Sequence, residues 1–371
     1  MDINIILIIV LIILALYSCL TTNNIENFAD FHSECILPDL LSKAAGNHGM
    51  NRNSKDWEYY FPCEYNSCEA RIKQFETEVN DKKKIFIIDG CDWPASKMAL
   101  WKLLKDVYTN DVAATIMPQT YLLDDQEDLK KIKKNYNKNL KIKKNFMYIL
   151  KNYAQRQEGL KIVQNYDDIM SGYKNGFYLV QDYLYNPFLI ENHKINFRYY
   201  TLIVCREGKV EGYIHKDGFV YYAPKVYDEN NPDFNIHITT GYIDRAVYDT
   251  NPLTLDDFRN YLEKQKSGSS KIWDNNVNKL MHNVIKAVAT KVCKNAKLHK
   301  HTLFQLFGSD VAPTKDLVGY LMEINKGPDL DAKDERDKKV KYKMQQDIFK
   351  VIDQVDEKGK PFTNNRFVRV F

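Results

Sequence analysis

The chain has 371 residues, of which 44% are hydrophobic, 27% charged and 13% aromatic, a balance that supports a packed core and excludes disorder over most of its length. Its formal net charge of +4, without a long basic helix or a recognition-module signature, excludes nucleic acid as the partner that composition would favour.

In chain order, the first signal is Ile5 to Leu20, an almost unbroken run of Ile, Leu and Val. As a helix, Ile3 to Thr22 would be roughly 30 Å long, the thickness of a bilayer core. Only Met1 and Asp2 precede it, so the basic leader of a cleaved signal peptide is missing. The expectation is an uncleaved single-pass anchor over 3–22 and a membrane location, with orientation left open by the scarcity of Lys and Arg on both flanks. Residues 23–80 read as a stalk or small cap, and their cluster Trp57-Glu58-Tyr59-Tyr60-Phe61 needs something to pack on.

An N-terminal lobe is expected over 81–145. In it, Lys84 to Asp89 reads as a buried strand stopped by Gly90, and Ala95 to Tyr108 as an amphipathic helix. Leu129 to Lys144 holds eight lysines and no acid, a pattern that suits a solvated face or a docking patch for an acidic tail or anionic lipid. A core follows over 146–371. Phe146 to Leu150, Leu160 to Val163 and Phe177 to Tyr183 are predicted strands. Phe197 to Cys205, Val210 to His215 and Phe219 to Tyr222 read as a meander, the last two joined by a turn at Lys216-Asp217-Gly218. Trp273 to Cys293 is predicted to be an amphipathic helix that Asp274 could cap. Strands over Thr302 to Val311 and Leu317 to Ile324 precede a charged helix from about Leu330 to Ile352. Strands in runs, instead of strict strand–helix alternation, indicate an α+β fold.

The seven cysteines are irregularly spaced and provide no zinc pattern. A disulfide among Cys35, Cys63 and Cys68 is open if their side is oxidising, while Cys205 and Cys293 are expected to be free thiols.

Neither a P-loop nor a Rossmann glycine fingerprint is present, and no zinc-protease or serine-hydrolase motif occurs. The strongest local signal is Met322-Glu323-Ile324-Asn325-Lys326-Gly327-Pro328. Glu323 and Asn325, two apart on a strand, leave the same face and offer hard oxygens of the kind magnesium takes. Asp310 would join them if the two last strands pair.

Here the sequence resembles the tubulin–tyrosine ligase-like family. Ser96-Lys97-Met98-Ala99-Leu100, Met117-Pro118-Gln119-Thr120-Tyr121-Leu122-Leu123, Tyr148-Ile149-Leu150-Lys151 and Gln157-Glu158-Gly159-Leu160 resemble its successive motifs. Val180-Gln181-Asp182-Tyr183-Leu184, Pro187-Phe188-Leu189-Ile190, Lys194-Ile195-Asn196-Phe197-Arg198 and His237-Ile238-Thr239-Thr240 follow in order. Phe304-Gln305-Leu306-Phe307-Gly308-Ser309-Asp310-Val311 and Glu323-Ile324-Asn325 close the series. Each motif alone is weak; their order over about residues 84–350 makes the likeness specific.

The resemblance implies an ATP-grasp fold, with two lobes of antiparallel sheet and helices sandwiching ATP. It implies ATP contacts from Lys97, Lys151 and Lys194, an adenine pocket formed by Gln181, Tyr183 and Leu184, and positions near the nucleotide for Asn196, His237 and Ile238. It further implies magnesium held by Asp310, Glu323 and Asn325, and Arg198 as the catalytic cation. The activity implied is joining a free amino acid to a protein acceptor, tubulin or another acidic-tailed protein, through an acyl phosphate. Three departures stand out: Asn196 replaces the family's Asp, Thr240 its Asn, and Tyr221 an Arg that would steady an anionic intermediate. One such donor can carry about 2.7–4 kcal/mol of transition-state stabilisation. The alternative expectation is therefore a membrane-anchored ATP-binding pseudoenzyme that scaffolds partners.

Overall fold

The computed structural model describes residues 30–371 apart from 54, 65–67, 79–80, 143–145, 153–158, 240–243 and 354–364. The anchor expected over 3–22 lies outside the described residues, as do Gln157, Glu158 and Thr240. Among the described residues, no helix is long and apolar enough to cross a membrane.

The strands are β1 (Phe31–His32), β2 (Tyr59–Tyr60), β3 (Lys84–Ile85), β4 (Thr120–Leu122), β5 (Tyr148–Lys151), β6 (Leu160–Val163), β7 (Leu179–Asp182) and β8 (Leu189–Ile190). They continue as β9 (His193–Arg206), β10 (Lys209–Tyr222), β11 (Thr302–Pro313), β12 (Gly319–Asn325) and β13 (Phe367–Arg369). Two sheets result. The larger runs β1-β2-β3-β11-β9-β10-β13, with β12 on β11 and β8 on β9. β1, β2, β3 and β11 pair in parallel; the other pairings in this sheet are antiparallel. The smaller sheet is antiparallel, in the order β4-β7-β5-β6. This is the α+β architecture expected.

β9 and β11 form the centre because both are buried on both faces: Leu202, Val204, Phe304 and Leu306 on one, Ile203, Leu303 and Phe307 on the other. The helix Ser269–Val288 covers one face with Trp273, Val277, Met281, Val284 and Val288, and Trp273 Nε1–H donates to the buried Tyr199 hydroxyl at 2.8 Å. The helix Glu335–Asp353 buries Met344, Ile348 and Phe349. β1 and β2, from the 23–80 segment, extend the large sheet, where Tyr59 and Phe61 pack against Phe349.

Several local expectations are corrected. The strand predicted over Lys84–Asp89 pairs only at Lys84 and Ile85, and further on the Ile88 N–H meets the Gln305 side chain instead of a neighbouring strand. Lys216-Asp217-Gly218 is no hairpin turn. It is an irregularity inside one continuous strand, β10, between Ile214 and Gly218. A Cβ on Gly218 would lie 2.1 Å from the Arg198 carbonyl oxygen, so glycine is needed for close approach to β9. The long helix begins at Ser269, ahead of Asp274. Glu263 accepts from the Gly268 and Ser270 N–H groups at 2.8 and 3.0 Å, while Asp274 pairs with Arg259. The lysine-rich stretch lies largely in the helix Gln126–Ile142, anchored by buried Ile132. Cys205 and Cys293 are not free: they form a disulfide across 88 residues, with Cα atoms 5.7 Å apart. A second bridge joins Cys35 and Cys63, leaving Cys68 as a buried thiol.

Candidate active site

The two sheets meet at a cleft that residues of both line. The smaller sheet provides Ile149 and Lys151 from β5, Leu160 from β6, Asp182 from β7, and Tyr183 and Leu184 beyond it. The larger sheet provides Lys194 and Asn196 from β9, Asp310 from β11 and Glu323 from β12. Lys97 and the segment His237-Ile238-Thr239 complete the lining.

Local sequence explains each placement. Lys97 is the first residue of the helix Lys97–Val107, whose N-cap Ser96 accepts from the Ala99 N–H at 3.2 Å. Lys151 ends a strand whose other three residues are also buried, so its stem is drawn inside with them. Asp310 and Glu323 stand directly opposite each other in the β11–β12 ladder, and Asn325 opposes Gly308.

The carboxylates are already paired with cations. Arg198 holds Asp310 through two bonds, Nε to Oδ1 at 2.6 Å and an Nη to Oδ2 at 3.2 Å. Lys97 Nζ is 3.4 Å from Glu323 Oε2, and Asn325 Nδ2 donates to Glu323 Oε1 at 3.3 Å. Burial pushes Asp310 up to about 6; Arg198 opposes this and the nearby Glu323 charge adds to it. Burial also pushes Glu323 up, but Lys97 and Lys151 outweigh it and hold Glu323 below its ordinary value.

Two of the ammonium groups are poorly solvated. Burial pulls Lys151 down to about 8, with Glu323 opposing and Lys97 assisting. Lys194 also falls to about 8, through burial first and then repulsion from Lys151. Lys194 Nζ donates to the Tyr183 hydroxyl at 3.4 Å, Tyr183 donates to His237 Nδ1 at 2.7 Å, and His237 Nε2–H donates to the Asn231 carbonyl at 2.5 Å. This relay fixes the His237 tautomer, and burial holds its imidazole below its ordinary value, hence neutral.

Of the residues singled out by sequence, Lys97, Lys151, Tyr183, Leu184, Lys194, Asn196, His237, Ile238, Asp310 and Glu323 line this one cleft. Arg198 and Asn325 reach it through Asp310 and Glu323. Gln181 does not line it: its amide donates to Thr120 Oγ1 at 2.8 Å and to the Pro118 carbonyl at 3.3 Å, tying β7 to β4. Tyr221 stands opposite Asn196 in the β9–β10 ladder, its ring 5.7 Å from the Arg198 guanidinium. Sequence reasoning gave Asp182 no role, although a carboxylate next to the apolar strand Leu179-Val180 was a visible signal. It lines the cleft, burial raises it to about 7, and its Oδ1 has no partner among the described residues.

Residues 76–361 match the model of the Tubulin-tyrosine ligase family. The chain belongs to that family. Among its relatives are tubulin glycylase 3B of Drosophila melanogaster, 27% identical over 198 residues, and the probable tubulin polyglutamylase ttll-9 of Caenorhabditis elegans, 25% identical over 182. The probable tubulin polyglutamylase TTLL9 of Rattus norvegicus is 28% identical over 188 residues. These alignments cover 50%, 47% and 47% of this chain but only 26%, 42% and 38% of the relatives' own lengths. For a tubulin–tyrosine ligase family member, the cleft between the sheets is the natural place to seek chemistry, since it collects the family-motif residues from six strands.

Proposed function

We propose that the chain is an ATP- and magnesium-dependent carboxylate–amine ligase of ATP-grasp type that joins an amino acid to a protein acceptor through an acyl phosphate. The observation that carries this reading is the convergence of Lys97, Lys151, Lys194, Arg198, Asp310 and Glu323 at one buried cleft. The donors fit the implied groups. Asp310, Glu323 and Asn325 offer the carboxylate and amide oxygens that suit magnesium. The buried Asp182 Oδ1 and Asn196 Oδ1, without partners among the described residues, are acceptors that the amino and hydroxyl groups of a nucleotide would satisfy.

Lys151 and Lys194 would take the phosphate charge in a site where solvent screens little. Lys97 and Arg198 are the cations that now neutralise Glu323 and Asp310, and both would turn toward phosphate or the reacting carboxylate. Magnesium, when bound, would neutralise the phosphoryl group and polarise it for attack. Tubulin is the target named for the relatives. The apolar run 3–22 is proposed as a membrane anchor.

A second reading, an ATP-binding scaffold without turnover, is favoured by one observation. Tyr221 stands beside Arg198 where the family pattern has an arginine, so the site has one fewer cation for an anionic intermediate. ADP release by the full chain, measured with a panel of amino acids and acidic peptides, tests both. Acceptor-dependent ADP supports the ligase. Magnesium-dependent ATP binding without ADP under any pairing supports the scaffold, and no ATP binding refutes both.

A further inference from the structure

Four of the six cysteines among the described residues are bridged, Cys35 to Cys63 and Cys205 to Cys293, while Cys68 and Cys91 are buried thiols. Cys205 is a buried residue near the end of the central strand β9, and Cys293 is a buried residue just beyond the helix Ser269–Val288. The bridge thus fastens the middle of the large sheet to the end of the helix that covers it. Cys293 sits at φ 58, a left-handed conformation that costs a non-glycine residue energy and that the surrounding structure must enforce. The other bridge fastens the loop after β1 to the loop after β2, within the segment nearest the N-terminal apolar run.

Bridges of this kind form and persist in secretory, extracellular or periplasmic surroundings, and are kept reduced in a cytosol. We propose that this domain folds and works in the oxidising lumen of the secretory pathway, and that its acceptor is a luminal or secreted protein and not cytosolic tubulin. The compartment half stands on the cysteines alone; the acceptor half also rests on the ligase reading. Each bridge forms by thiol–disulfide exchange: two cysteine thiols lose two electrons and two protons, and a carrier protein's disulfide is reduced to two thiols. The apolar run 3–22, acting as an uncleaved signal anchor, would place the domain on the luminal side.

The test uses the full chain expressed in cultured eukaryotic cells. Acid quenching, denaturation and alkylation with N-ethylmaleimide, followed by peptide mass spectrometry, should leave Cys35, Cys63, Cys205 and Cys293 unmodified until reductant is added. In sealed microsomes the domain should resist added protease and lose that resistance when detergent opens the membrane. Gln265→Asn creates an Asn-Lys-Ser acceptor at an exposed helix end, and that variant should gain a glycan. Four thiols alkylated without reductant, a domain digested in sealed microsomes, or an unglycosylated Gln265→Asn chain each overturns the compartment. Efficient amino-acid addition to purified tubulin by the oxidised chain overturns the acceptor half. Failure to bind ATP would strike the ligase reading and leave the compartment result intact.

Discussion

Raising the pH from 7 to 9 should weaken nucleotide binding by up to about a hundredfold, because the cleft has two ammonium groups that are easily lost. Lys151 and Lys194 both have their ordinary value of 10.5 pulled down to about 8 by burial. In the free protein each is therefore about 90% protonated at pH 7 and about 10% at pH 9. A bound polyphosphate favours the charged form and returns both toward the ordinary lysine range, so binding at pH 9 must first take up protons. Each lysine contributes about a tenfold loss, or about 1.4 kcal/mol, across that window. The ligand-free domain should respond with the opposite sign. Its folded lysines titrate below their unfolded values, so the unfolded state binds more protons between about pH 8 and 10.5, and stability rises with pH there. Calorimetric titration of ATP with magnesium, in two buffers of different ionisation enthalpy, reads the proton uptake directly. Lys151→Met should remove about half of it. Affinity that is flat from pH 7 to 9, with no buffer-dependent heat, would refute this account of the cleft; affinity and stability falling together would indicate general alkaline unfolding instead.

Magnesium and ATP should tighten each other, because Arg198 and Lys97 cannot serve phosphate and also neutralise Asp310 and Glu323 unless a metal takes over those carboxylates; Glu323→Gln should weaken magnesium-dependent ATP binding and stop turnover, while ATP titrations that ignore magnesium would remove the metal assignment. Replacing Lys151 by Ala should abolish the thermal stabilisation given by ATP, checked by differential scanning fluorimetry. Cys205→Ser opens a loop of 88 residues and should cost about 4–5 kcal/mol on a chain-entropy estimate, read as a lower Tm that added reductant reproduces in the parent protein. Gly218→Ala places a Cβ 2.1 Å from the Arg198 carbonyl and should cost about 2–3 kcal/mol in denaturant unfolding; an unchanged midpoint would show that β9 and β10 can part there freely.

The residue pattern by itself determined the class of fold and which side chains the candidate cleft would collect. The helix at Lys97, the strands ending at Lys151 and Asp182, and the Glu323-x-Asn325 strand end were legible because apolar periodicity and turn residues act over a few positions. Ordered motifs then carried the family. Three things were decided only in three dimensions. Cys205 and Cys293 are partners because β9 and the helix Ser269–Val288 end side by side, and no spacing rule encodes an 88-residue separation. Gly218 looked like a turn residue but serves a close strand contact, since a glycine's lack of a side chain has the same appearance in either role. Arg198 proved to be held by Asp310, and Glu323 by Lys97, so the site's charges balance internally before any ligand arrives. Local sequence specifies which charges a strand end carries. Which opposite charge lies within 4 Å of it depends on sheet order and register, and those are set by the packing of the whole chain.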